Sequence, residues 1–93
     1  MDSLRVREIA IGLSRQACDR SGLQLLDDTV SMAHIRFRGD GRGHLRINRT
    51  YQFEFSDGGN DRRAGYVVMR GGELQILHLD LPEERQGISG RLH

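Results

Sequence analysis

The sequence has no tryptophan, no lysine, one proline and one cysteine. A lone Cys18 excludes an internal disulfide and a multi-cysteine zinc site, and it suits a reducing, intracellular setting. No run approaches the ~18–20 apolar residues of a membrane span, and the N-terminus lacks the apolar stretch of a secretory signal. Neither charge is in excess: 14 basic and 13 acidic residues give a net +1, a balance that does not mark a nucleic-acid binder. All 14 basic residues are arginine, and their even spread reads as composition bias. No helix-turn-helix, zinc-finger or RNP-like motif is present.

What is present suits one small globular domain of 93 residues, with 37% hydrophobic and 29% charged residues. Residues 3–21 read as a helix, because Val6, Ile9, Ala10, Leu13 and Ala17 form one apolar stripe. Asp2 or Ser3 can cap its start, and Gly22 followed by Leu23 suits its end. Everything after Gly22 reads as strands and turns. Strands are predicted at 29–38, 44–56, 63–70 and 73–81, separated by GDGRG, DGGND and a Gly71-Gly72 hairpin turn. The fold class is therefore α+β: one N-terminal helix packed on a four-stranded antiparallel meander within residues 1–82. Residues 83–93 are expected to form a polar, flexible tail.

Matching the apolar faces of the strands gives a register. Phe37 falls opposite Leu45, Ile35 opposite Ile47, and Ala33 opposite Arg49. Further on, Tyr51 meets Val67, Arg49 meets Met69, Met69 meets Leu74 and Val67 meets Ile76. The resulting inner face, with Ile35, Phe37, Ile47 and Leu74 among its members, should lie under the helix. The outer face carries a basic half, Arg36, Arg38, His44 and Arg46, and an apolar half, Tyr66, Val68, Leu77 and Leu79.

Each half has two readings. Arg36, Arg38 and Arg46 either splay into solvent or bind an anion, since like charges opposite one another are unfavourable. Tyr66, Val68, Leu77 and Leu79 either form a partner surface, or are turned inward by a bulge or covered by the tail. Arg49 interrupts the apolar alternation of LRINRTYQFEF (45–55). A buried charge needs a partner, and Glu8, Asp27 and Asp28 are the candidate carboxylates, making a structural salt bridge. Cys18 reads as a packed thiol. Asp27-Asp28 lacks the further oxygen ligands of a calcium loop, and His34, His44, His78 and His93 show no ligand spacing, so no metal or cofactor is expected. The core assignments leave little room for a pocket of about 300 Å³, so neither catalysis nor a small-molecule substrate is expected.

REIAI (7–11), CDRSGLQLLDDTV (18–30), RTYQFEF (49–55) and GYVVMRGGEL (65–74) resemble the bacterial family called domain of unknown function 3301. The likeness covers about residues 5–80. It marks Cys18, Gln24, Leu25, Leu26, Asp27, Arg49, Tyr51, Phe53, Glu54, Phe55 and Gly65 as motif positions, mostly folding determinants, with no catalytic residue to carry over. Members usually begin with an apolar membrane-spanning segment followed by arginines, where this sequence has Met1-Asp2-Ser3. Arg5 and Arg7 match the arginine stretch, which implies a cytoplasmic domain, anchored to the inner membrane in a longer form. The expected function is a non-catalytic interaction module that binds a protein partner or itself through the outer sheet face. The alternative is anion binding, to nucleic acid or acidic lipid, through the arginine-rich first hairpin.

Overall fold

The structure is a computed structural model that describes residues 3–58 and 61–81. Helix α1 spans Ser3–Arg20, and the strands are β1 Gln24–Gly39, β2 Leu45–Ser56, β3 Arg62–Arg70 and β4 Glu73–Leu79. They form one antiparallel sheet in the order β1-β2-β3-β4, which is the meander expected from the sequence. The tail at 83–93 lies outside the described residues.

Helix α1 stops where its chemistry stops it. The Leu23 N–H reaches back to the Cys18 carbonyl at 2.7 Å and the Gly22 N–H to Asp19 at 3.2 Å. That double bond pattern needs a left-handed residue between them, and Gly22 supplies it at φ 71°. Leu23 and Cys18, the two ends of the cap, are both buried. The helix then lays Val6, Ala10, Ser14 and Cys18 on the sheet. Ser14 satisfies its hydroxyl by donating to the Ala10 carbonyl at 2.8 Å. Beneath it lie Tyr51, Phe53 and Phe55 from β2, Val67 and Met69 from β3, and Leu25 and Val30 from β1.

Three features depart from the expected register. First, β1 begins at Gln24, five residues before the predicted start at 29. Residues 27–30 leave the ladder and Thr29 bridges the gap, its hydroxyl accepting the Glu54 N–H at 2.8 Å and donating to the Leu26 carbonyl at 2.6 Å. Second, β1 and β2 are offset by two from the expected pairing, with Phe37 opposite Ile47, Ile35 opposite Arg49 and Gly39 opposite Leu45. Asp40 closes the turn by accepting the N–H groups of Arg42 (2.8 Å) and His44 (3.1 Å). Third, a bulge at Gln75 puts Leu74 opposite Met69 but Ile76 opposite Val68. It reverses the faces of β4, so that Leu77 pairs with Val67 and Leu79 with Gly65.

The helix does not cover the whole inner face. The molecule measures 46 Å in its longest dimension, whereas an 18-residue helix is about 27 Å long. Its first turn sits over Arg49, where the Arg49 Nη2 donates to the Ser3 hydroxyl at 3.4 Å. Beyond that level the β1–β2 hairpin continues as an arm, residues 35–47, whose inner side chains lie open: Ile35 is 44% exposed, Phe37 59% and Leu45 64%. Contrary to the expectation from alternation, Ile35 and Phe37 therefore do not lie under the helix.

Candidate functional site

The outer side of the arm gathers arginines from three strands. Arg38 stands directly opposite Arg46, and Arg36 opposite Asn48, which in turn pairs with Arg70 at the end of β3. A shallow cleft of about 220 Å³ is lined by His34, Arg36, Arg38, Asn48, Thr50 and Val68. A second, of about 190 Å³, is lined by Arg38, Gly39, Asp40, Arg46 and Arg70. The Oδ1 of Asn48 is buried there without a donor. Asp40, the carboxylate within this group, is already engaged: it faces His44 Nδ1 at 3.0 Å and caps the turn. The Arg42 amide, followed by the His44 amide and side chain and the charge of Arg46, outweighs desolvation and holds its carboxyl below the usual range. Glu73 lies across the tight turn from Arg70 but forms no ion pair among the described residues. The site thus brings together Arg36, Arg38 and Arg46 as expected. It adds Arg70, whose signal was its position closing GYVVMR just before the Gly-Gly turn.

The proposed partner surface of Tyr66, Val68, Leu77 and Leu79 is not one surface. The Gln75 bulge turns Leu77 and Leu79 to the helix side, where both pack against the core. Tyr66 and Val68 remain on the outer face with Ile76, and the Tyr66 ring lies 5.2 Å from that of His78. The larger apolar exposure is on the other side, on the arm.

Arg49 is buried, at 4% exposure, as the broken alternation implied. The expected carboxylate is not Glu8, Asp27 or Asp28. Asp27 pairs with Arg15 on the helix, and Glu8 and Asp28 are exposed. Asp27 joins the sheet near Glu54, five residues from Arg49 along β2 and so about 16 Å away. Arg49 therefore lies out of reach of the Asp27-Asp28 pair.

Cys18 is fully buried, and burial, then the charge of Asp19, pushes its thiol up to about 11. It should resist thiol reagents at neutral pH in the native protein and react only on denaturation, which a timed labelling assay with and without urea would check. Because the folded thiol titrates above the unfolded value of 9.0, its contribution to stability is complete below about pH 9 and is lost as pH rises towards 11. Urea midpoints measured across that window should fall, and less so in Cys18→Ala.

The four strands, the Gly22 cap and the buried Arg49 and Gly65 together set the motif positions in space. A model of the family described as "Protein of unknown function (DUF3301)" matches residues 1–81. The chain belongs to the DUF3301 family. The match takes in the helix and every strand of the sheet. No curated protein and no solved structure matches the chain. Among the described residues of this DUF3301 domain, no helix is long and apolar enough to cross a membrane, and no three His, Cys, Asp or Glu side chains are grouped to hold a metal.

Proposed function

We propose that this DUF3301 domain is a non-catalytic interaction module that docks through the β1–β2 arm onto an anionic membrane surface. One observation carries the reading: a single two-stranded arm exposes Ile35, Phe37 and Leu45 on one side and Arg36, Arg38 and Arg46 on the other. Guanidinium groups pair with lipid phosphates, each worth about 1 kcal/mol near an anionic leaflet. The apolar side chains gain from leaving water at roughly 25 cal/mol per Å². Nucleic acid fits less well, because no Phe, Tyr or Trp lies among the arginines of the arm, Phe37 being on the other face. The reading extends to a cytoplasmic domain held under the inner membrane in a longer form, as the family resemblance implies.

Flotation with vesicles tests it. The protein should float with 30% phosphatidylglycerol vesicles at low salt, and added salt should release it. Arg38→Glu with Arg46→Glu should weaken binding at least tenfold, and Phe37→Ser with Leu45→Ser should remove the salt-resistant part. Equal binding to neutral vesicles, or binding to RNA but not to lipid, would sink the proposal. A concentration-dependent dimer that hides Phe37 would replace it with self-association.

A further inference from the structure

Arg49 is unusual for a residue 4% exposed, because its Nε–H is buried with no acceptor among the described residues. Its one hydrogen bond within the described residues is the 3.4 Å contact to the Ser3 hydroxyl, near the limit of such a bond. Two residues along on the same face, the Tyr51 hydroxyl is also buried without a partner among the described residues. No described carboxylate pairs with Arg49, and a buried cation left uncompensated is strongly destabilising. The surroundings add positive potential. The first turn of α1 above it contains no acidic residue, so nothing within that turn offsets the helix's positive end. Arg49 forms part of the wall of a cleft of about 170 Å³ at the root of the arm, together with Arg46, Arg70, Leu45, Ile47 and Gly71.

We propose that this cleft is a binding site for a phosphate group, with Arg49 as the buried anchor and the charges of Arg46 and Arg70, on the other face of the sheet at its rim, adding positive potential. A planar guanidinium with unspent donors recognises a phosphate through two parallel N–H···O bonds. The phosphate replaces the counter-ion that the sheet omits, so binding and folding are coupled. The site needs no bilayer, although Leu45 and Arg46 of its wall also belong to the docking arm.

The test titrates the full chain with inorganic phosphate against sodium chloride at matched ionic strength, read by melting temperature and by backbone amide NMR shifts. A soluble short-chain phosphatidylglycerol, kept below its micelle concentration, is titrated separately. The melting temperature should rise saturably, with amide shifts concentrated at residues 45–49 and 70–72. Saturation by phosphate marks a soluble ligand, and saturation by the lipid alone marks a headgroup. Arg49→Gln should abolish the response. Arg49→Lys keeps the charge if the glutamine variant fails to fold, and it should weaken binding on the order of tenfold by losing the fork. Arg38→Glu, outside this cleft, should leave the response intact. Shifts centred on Arg36 and Arg38, or a response surviving Arg49→Gln, would overturn the proposal. It also falls if Asp2→Asn destabilises as much as Arg49→Gln while neither titrant moves the cleft, because the counter-ion then belongs to the chain.

Discussion

Phe55→Ala should lower the folding free energy by about 3–5 kcal/mol. Phe55 is fully buried, lies between Leu25 and Arg63 in the sheet, and tilts against Phe53 with ring centroids 6.4 Å apart. Its loss removes the transfer energy of the ring, leaves a cavity, and breaks an aromatic contact worth about 0.5–1.5 kcal/mol. A domain of this size has roughly 5–14 kcal/mol in total, so the urea midpoint should fall by a molar or more. Phe37→Ala is the matched control. The residue type is the same, but Phe37 is 59% exposed on the arm, so the change should stay within about 0.5 kcal/mol. Equal losses at the two positions would mean that the arm is packed and the described division of the inner face is wrong.

The second large effect is expected at Gly65. A Cβ built there would lie 2.7 Å from Cε1 and Cζ of Phe53 and 2.8 Å from the His78 carbonyl oxygen. The ring can shift, but the carbonyl is held by the β3–β4 ladder and cannot withdraw without breaking the sheet. Gly65→Ala should therefore cost about 1–3 kcal/mol, and Gly65→Val should leave no folded protein. The ring's share is separable. In a cycle with Phe53→Leu, a smaller side chain over Gly65 should return part of the loss as a coupling of about 0.5–3 kcal/mol. A neutral Gly65→Ala would show that the sheet relaxes freely at this crossing.

The sequence disclosed most where the deciding interactions are local. Gly22 and Leu23 announced the helix end because the cap is a contact over six residues. The β2–β3 register was readable because both strands alternate cleanly, and Tyr51 meets Val67 as their patterns require. The β1–β2 offset was not readable, because it depends on Asp40 drawing Arg42 and His44 into a closed turn. A bulge that turns residues inward was one of the two readings of Leu77 and Leu79, but its position at Gln75, which leaves Leu74 and Leu77 on the same face although three positions apart, was not readable. That single extra residue dismantled the expected patch at Leu77 and Leu79. For Arg49, pattern alone showed that it would be buried. Its surroundings depend on where α1 ends above the sheet, a relation between distant segments that alternation does not encode.

The strictly sequential sheet order has a kinetic consequence. Each strand pairs only with its neighbours in the chain, and α1 packs chiefly on β1, the next element along. No long loop must close before the sheet can start, so the entropic barrier is paid in short steps. For a mostly β protein this is low contact order, which favours folding nearer to milliseconds than to seconds. Pairing with β2 covers one edge of β1 as soon as the hairpin forms, while its other edge remains the outer edge of the finished sheet.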